Sequence, residues 1–194
     1  MAITLAPVHV KPHLLGRFGV PLYLYAERCR STQDLLPAGA PEGALALAEA
    51  QTHGRGRRGR DWQGAPGKSL LFSLCLRPRV ETARLASFTP VAAEAIVHAI
   101  ASFGGQATVK PPNDVLLAGM KVAGILAEAS AGRVVLGVGV NVDQEAGDLP
   151  ERPVFPASSL TLELGRPIDR VELLVCILAQ LERHYELWLT EKTA

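Results

Sequence analysis

The chain has 194 residues, 48% hydrophobic and 20% charged, which is the size and composition of one ordinary globular domain. Its formal net charge of +1 gives no overall field for nucleic acid or an anionic membrane, so any anion must be recognised by local clusters of Lys and Arg. Three widely spaced cysteines (Cys29, Cys75 and Cys176) form no C-x-x-C pair, which argues against a disulfide framework or a zinc site and predicts a reduced, cytoplasmic setting. We predict no signal peptide, and no apolar run that reaches the roughly 18 residues of a membrane span.

The first third of the chain predicts two strands, a helix start and a long loop. Residues 21–27 are β-prone, and Ser31 opens a Ser-x-x-Asp sequence that is typical of a helix N-terminus. Residues 43–50 form an apolar run of strand length, although their alanines would suit a helix equally well. Residues 52–68 are rich in glycine and arginine and almost lack apolar side chains except Trp62, so they predict a loop without a core element.

The rest of the chain predicts strands between two helices. An apolar helical stripe runs through residues 82–103 and stops at Gly104, and Pro90 marks either a kink or the true helix start. A final helix begins at an Asp169 cap. Strands are predicted at residues 69–76, 107–110, 115–117, 122–128 and 133–142. Antiparallel strands flanked by helices predict an α+β fold.

Residues 54–60, within the long loop, contain four arginines interleaved with glycines. Arginine offers paired donors to phosphate and carboxylate groups, and glycine lets the backbone approach a ligand closely. The segment therefore indicates anion binding. Taken alone, it fits a solvated disordered stretch or an RNA-binding tract equally well.

Two other glycine-rich segments look like nucleotide-binding motifs but lack essential parts. Residues 64–69 end like a P-loop, yet Trp62 stands where the first glycine belongs and a strand follows instead of a helix. Residues 137–141 begin like a dinucleotide fingerprint, yet the third glycine and the helix are missing. We interpret neither as a nucleotide-binding motif of those classes.

A further candidate is the Lys-Pro-Pro-Asn-Asp sequence at residues 110–114, followed by Lys121 at the start of an apolar strand. If the two strands pair, they bring a carboxylate, an amide and an ammonium group together. On its own, this segment is better explained as a hairpin turn with a surface lysine.

Taken in order, these segments resemble the catalytic domain of biotin–protein ligases, and the resemblance covers most of residues 21–165. The arginine–glycine loop followed by Trp62 is its most specific part. The matching segments are residues 31–33, 48–62, 110–114, 121–126, 137–142 and 157–160. The resemblance implies an α+β fold with a mixed, largely antiparallel sheet and helices packed on one side. It also implies an enzyme that converts biotin and ATP, with Mg²⁺, to biotinyl-5′-AMP and then transfers biotin to a lysine of a biotin carboxyl carrier protein.

Residue roles follow from the resemblance and from the chemistry. A carboxylate that attacks a triphosphate brings like charges together, so the site needs cations aimed at the phosphates. Lys121 and Arg57 are the expected catalytic residues, and Asp114 is expected to hold Mg²⁺. The expected biotin-binding residues are Ser31, Thr32, Gln33, Gln51, Gly54, Arg55, Gly56, Arg57, Lys121 and Gly124. The expected ATP-binding residues are Arg57, Arg60, Trp62, Asn113, Asp114, Lys121 and Asn141.

The chain also departs from the family pattern. Pro111 stands where a tryptophan is usual, and Gln33 replaces the more frequent asparagine. Residues 1–194 are predicted to form a single catalytic domain, with neither the N-terminal DNA-binding domain of repressor-type ligases nor the family's C-terminal β-barrel domain. The predicted partners are biotin, ATP and the carrier protein, without nucleic acid or membrane, and a homodimer is left open.

Three alternatives are kept. A lipoate or octanoate ligase or transferase shares the fold, but an octanoyl transferase needs a cysteine near the strand that ends at Asn141, and none lies between Lys121 and Asn141. A non-catalytic biotin- or nucleotide-binding protein would fit Pro111 and the expected lack of a C-terminal domain. An RNA-binding module would use the arginines, but the run is short and lacks interleaved aromatic residues.

Overall fold

A central sheet of seven strands organises the molecule. The computed structural model describes residues 4–130, 132–150 and 155–191. The strands are β1 (Tyr23–Cys29), β2 (Leu45–Gln51), β3 (Gly54–Arg55), β4 (Asp61–Trp62), β5 (Ser69–Leu76), β6 (Ala107–Lys110), β7 (Asp114–Leu117), β8 (Met120–Ser130) and β9 (Arg133–Asn141). The helices are α1 (Pro7–Val10), α2 (Thr32–Leu35), α3 (Phe88–Ser102), α4 (Leu160–Leu164) and α5 (Arg170–Thr190), with 3₁₀ turns at Lys11–His13, Arg57–Gly59, Thr82–Ser87 and Ala146–Asp148.

The pairing of the strands is mixed but mostly antiparallel. In the large sheet the strands lie in the order β1-β2-β5-β9-β8-β7-β6. Among the described strands only β1 and β2 pair in parallel, and their connection passes through α2. The other neighbours in the large sheet pair antiparallel. The small strands β3 and β4 form a separate two-stranded hairpin. The predicted α+β class and the mixed, largely antiparallel sheet are therefore confirmed.

The two faces of the sheet carry different side chains, as β9 illustrates. Leu136 and Val138 on one face are buried in the main core cluster, together with residues of α3 and α5 such as Ile96 and Leu178. The alternate positions of β9 point to the other face, where Gly137 lies beneath the Gln33 side chain. The long helices thus cover one face, which leaves the other face free for a site.

The helix α5 is fixed to the sheet at its first turn. The Asp169 side chain accepts hydrogen bonds from the amides of Val171 (2.7 Å) and Glu172 (3.0 Å), so the predicted cap is confirmed. The Arg170 guanidinium then pairs with the Glu49 carboxylate of β2 at 2.7 Å, with side-chain exposures of only 5% and 11%. A buried ion pair therefore ties α5 to β2.

The predicted helix at residues 82–103 is a 3₁₀ turn, Thr82–Ser87, followed by α3. Pro90 lies in the first turn of α3, where a missing N–H is not needed, so it marks the helix start rather than a kink. By length and composition alone the stretch Thr82–Ser102 could cross a membrane, but Arg84, Glu94 and His98 interrupt it, so it holds no unbroken apolar run of the length that a membrane span needs. Several of its side chains, such as Phe88 and Ile100, are buried in the core instead.

Two other expectations need correction. The residues 52–68 do not form only a loop, because β3 and β4 pair there around a turn in which Arg58 and Gly59 have φ angles of 59° and 70°. The helices are not all on one side, because α2 packs on the face opposite α3 and α5. Its first residue, Thr32, contacts Ser73, which points away from the core. The short helices α1 and α4 were not predicted.

Candidate active site

A cavity of about 680 Å³ opens on the face of the sheet opposite α3 and α5. Strands β8 and β9 form its floor, and α2, the β3–β4 hairpin and the turn between β6 and β7 form its walls. Every residue predicted for the site lines this cavity except Gly54. Gly54 is buried in β3, where a Cβ would lie 2.9 Å from Gln51 Nε2, so it packs against Gln51 instead.

Two facing glycines make the floor flat. Gly124 of β8 pairs with Gly139 of β9, and the Trp62 indole lies across both. A Cβ at Gly124 would come within 2.7 Å of Trp62 Cζ3, and one at Gly139 within 2.7 Å of Trp62 Cζ2. Any larger residue at either position would therefore push Trp62 off the floor.

A β-bulge directs Lys121 into the cavity. Val115 pairs with Ala123, and Leu116 pairs with Lys121, so Val122 is an extra residue on β8. In a regular strand Lys121 and Gly124 would point to opposite faces, but the bulge brings both to the cavity face. The Lys121 ammonium lies 2.7 Å from Asp114 Oδ1 and 5.4 Å from the centre of the Trp62 ring.

The turn between β6 and β7 supplies the other charged groups. Asp114 Oδ2 is also 3.9 Å from the Lys110 ammonium, so two lysines flank one carboxylate. Asn113 donates from Nδ2 to the carbonyl of Ile125 at 3.0 Å and accepts from Arg57 Nη1 at 3.1 Å. Residues that are far apart in sequence therefore form one cationic wall, as the hypothesis of an anion site requires.

The opposite end of the cavity is polar and uncharged. Gln51 Oε1 accepts from the amide of Thr32 at 2.7 Å and from its hydroxyl at 3.2 Å. The Thr32 hydroxyl also contacts the Ser73 hydroxyl at 2.8 Å, and Ser31 caps α2. Thr32 is only 3% exposed, so these hydroxyl and amide groups are held in fixed positions away from bulk water.

Two buried donors in the cavity lack a partner within the described residues, Gln33 Nε2 and Trp62 Nε1. Gln33 Oε1 is already used, because it accepts from Arg55 Nε at 3.1 Å. An unpaired buried donor is costly, but both atoms are closed off from solvent, so a ligand acceptor would reach either one only if the side chain moves.

Asn141 lines the cavity, and its amide group also forms hydrogen bonds within the protein. Its Nδ2 donates to the carbonyl of Ser158 at 2.9 Å, and its Oδ1 accepts from Gln144 Nε2 at 2.9 Å. The amide nitrogen carries two N–H groups and the carbonyl of Ser158 takes one, so the predicted contact of Asn141 with a nucleotide stays a prediction.

The three cysteines take no part in this cavity among the described residues. None is disulfide-bonded; Cys75 is buried, whereas Cys29 and Cys176 are half-buried. Burial raises the pKa of the Cys29 and Cys75 thiols, so both stay protonated at neutral pH. A cysteine nucleophile of the octanoyl transferase kind is not found in the described cavity lining.

The described residues contain no cluster of three metal-binding side chains. Asp114 has oxygen atoms of the kind Mg²⁺ prefers, and Mg²⁺ commonly binds one or two carboxylates together with substrate phosphates. Asp114 therefore fits a metal that arrives with a phosphate ligand, and the predicted magnesium contact stays a prediction.

Sequence reasoning missed several residues of the site. The cavity lining also includes Gly139, Phe155 and Lys110, for which no site role was predicted. Ser73 and Gln144 do not line the cavity; they are buried and hydrogen-bond to the lining residues Thr32 and Asn141. Lys110 packs its ammonium 4.4 Å from the centre of the Phe155 ring. The one sequence signal for Ser73 was that Ser69 and Ser73, four residues apart, lie on the same face of an otherwise apolar strand.

Comparison with known proteins agrees with this geometry. The model of the Biotin/lipoate A/B protein ligase family matches residues 25–145. The bifunctional ligase/repressor BirA of Bacillus spizizenii is 34% identical over 93% of this chain and 58% of its own length. The biotin–[acetyl-CoA-carboxylase] ligase of Paracoccus denitrificans is 39% identical over 72% of this chain and 61% of its own length.

The fold has a similar match among solved structures. The biotin protein ligase of Aquifex aeolicus, solved in complex with biotin and ATP, superimposes with a TM-score of 0.77 at 29% identity, over 85% of this chain and 70% of that one. The present chain thus spans 58–61% of the length of those two curated relatives. Because the family model matches more than half of the chain, the chain belongs to the biotin/lipoate A/B protein ligase family.

Proposed function

We propose that the chain activates biotin with ATP to biotinyl-5′-AMP and pyrophosphate, and then transfers biotin to a lysine of a biotin carboxyl carrier protein with release of AMP. The observation that carries this proposal is the position of Lys121. Its ammonium lies between the cationic wall and the glycine floor, paired with Asp114 at 2.7 Å. A reaction that joins a carboxylate to a phosphate needs one cation that can reach both.

The two ends of the cavity suit the two substrates. The uncharged end, with Ser31, Thr32 and Gln51, offers the fixed donors and acceptors that a ureido ring needs, because an unpaired polar group in a buried slot is costly. The cationic end, with Arg57, Lys121 and Asn113, suits a triphosphate. A volume of about 680 Å³ lies within the usual range for small-molecule sites.

The residues of the cationic wall would each act on charge. Lys121 and Arg57 would lower the repulsion between biotin's carboxylate and the α-phosphate and would stabilise the charge that develops on the phosphoryl oxygens. Mg²⁺, bound by Asp114 together with phosphate oxygens, would screen the leaving pyrophosphate. The attacking carboxylate is already ionised, so the first step needs no general base.

The hairpin would protect the intermediate. An acyl-adenylate is a mixed anhydride that water hydrolyses, so a cover that excludes water has a chemical purpose. Trp62 and residues 55–57 form the side of the cavity where such a cover would lie.

The relatives favour biotin over lipoate. The curated proteins compared above are named as biotin ligases or BirA, and the Aquifex protein was solved with biotin and ATP. A lipoate or octanoate activity is the second candidate, because the family model includes it. We also infer a single catalytic domain, which the single large sheet supports. We infer a cytoplasmic setting, which the free cysteines support.

The test is a pair of linked assays on the purified chain. Pyrophosphate release from ATP should depend on biotin and not on lipoate or octanoate, and a carrier domain added afterwards should become labelled on its lysine. Release with lipoate alone would overturn the choice of substrate. Tight biotin binding without pyrophosphate release would favour the non-catalytic alternative.

A further inference from the structure

We propose that Asp34 and Glu128 are positioning residues that hold the β3–β4 hairpin over the cavity through a shared ion pair with Arg55. Their effect on catalysis rests on the proposed function, but their effect on the hairpin does not. We call Gln33, Asp34, Arg55 and Glu128 the Arg55 clasp.

The contacts of Arg55 join three elements. Its Nη2 lies 3.0 Å from Asp34 Oδ1 in α2 and 3.5 Å from Glu128 Oε2 in β8. Its Nε donates to Gln33 Oε1 at 3.1 Å. One guanidinium of the hairpin is therefore bound to a helix and a strand of the main body, on the side of the hairpin away from the cationic wall.

The hairpin needs such support because it is very small. Only two residue pairs join its strands, Gly54 with Trp62 and Arg55 with Asp61. An isolated hairpin, even a longer one, is at best marginally stable in water. Each strand is instead anchored on the main body, β4 by Trp62 on the glycine floor and β3 by the Arg55 clasp.

The carboxylates of Asp34 and Glu128 also reduce the repulsion between the arginines of the hairpin. Residues 55–60 place four guanidinium groups close together, and like charges oppose closure. Asp34 and Glu128 offset the charge of Arg55, which leaves Arg57 directed at Asn113 and the cavity. A four-arginine hairpin can then lie on the protein while it keeps cations for a ligand.

Asp34 and Glu128 do not themselves line the main cavity. They line a smaller recess of about 310 Å³ that lies between α2 and the ends of β8 and β9. Neither carboxylate would touch biotin or ATP in the main cavity, so a loss of either must act through Arg55.

The first test is limited trypsin digestion of the full chain without ligands, which cleaves after the hairpin arginines when the hairpin opens. The ion pairs are half-exposed, so Asp34→Asn or Glu128→Gln should raise the cleavage rate roughly two- to fivefold, and the double variant roughly tenfold. Glu94→Gln, which removes an exposed carboxylate from α3, is the matched control and should leave the rate unchanged. Asp34→Glu should restore most of the wild-type rate.

The second test separates positioning from folding. The thermal midpoint of the double variant should stay within about 2 °C of wild type, because half-exposed ion pairs contribute little to global stability. In the biotin-dependent assay, the KM for biotin should rise several-fold with a smaller change in kcat. A double variant cleaved at the wild-type rate would overturn the clasp, even if the chain is an active ligase. Faster cleavage in a chain without ligase activity would uphold the clasp and reject the proposed function.

Discussion

The two faces of the central sheet carry opposite kinds of side chain, although neighbouring residues of the same strands supply them. On β9, Leu136 fills the core beneath α3 and α5, whereas Gly137, the next residue, leaves room for the Gln33 side chain. The core face is stabilised by close packing of large apolar groups. The cavity face has glycines in place of large apolar side chains and holds its polar groups in fixed positions. The comparison implies that stability and activity can be altered separately by mutating adjacent positions.

The largest effect is expected on the cavity face, at Lys121. Lys121→Ala should lower biotin-dependent pyrophosphate release by roughly a thousandfold, because it removes the cation at the centre of the proposed reaction. The thermal midpoint should change little. Lys68→Ala is the control, since Lys68 pairs with Asp148 outside the cavity. Normal release by Lys121→Ala would remove the basis of the proposed mechanism.

The core face should respond in the opposite way. Leu136 is fully buried, so Leu136→Ala should lower the free energy of unfolding by about 2–5 kcal/mol through lost burial and a residual cavity. Urea denaturation followed by circular dichroism measures this change. At low temperature, where the variant is still folded, kcat should stay near the wild-type value. A large loss of kcat in folded protein would show that the two faces are coupled.

A smaller effect is expected from filling the glycine floor. Gly139→Ala should displace Trp62, because the added Cβ would overlap the indole ring. We expect roughly a tenfold loss of kcat/KM and a shift in the fluorescence of Trp62, with the buried Trp188 contributing a constant background. Gly147→Ala has open space around its Cβ and is the matched control. An unchanged fluorescence spectrum of Trp62 would contradict the position of the indole against Gly139.

The smallest effect is expected outside the cavity, where the Lys68 ammonium lies 2.6 Å from Asp148 Oδ2. The hydrogen bond from Lys68 holds the pKa of Asp148 below its usual value, and the same bond raises the pKa of Lys68. The ionised pair should therefore stabilise the fold above the ordinary Asp pKa of about 3.9, and this stabilisation should be lost as the pH falls through the lower folded value. Asp148→Asn should lower the thermal midpoint slightly at pH 7 and not at pH 2. An equal difference at both values would exclude this linkage.

Much of the core face could be predicted from sequence, because local periodicity records it. The strand at residues 69–76 and the Asp169 cap were predicted at the positions that the structure has. The cavity face was predicted only through resemblance to a family. Its geometry depends on pairings between distant segments, such as Arg57 with Asn113, which no local pattern encodes. The hairpin was missed for a related reason, since its support comes from α2, β8 and the glycine floor rather than from its own sequence.

The extra residue Val122 has a consequence for how this sequence can change. The distance along the chain between Lys121 and Gly124 is set to within one residue, because side-chain direction in a strand reverses with each step. A deletion that closes the bulge would turn either the lysine or the glycine away from the cavity while both residues are still present. The length of the segment from Lys121 to Gly124 is therefore as much a requirement of this site as the identity of its residues. A homologous sequence with an insertion or deletion in that segment should not be expected to keep the same chemistry.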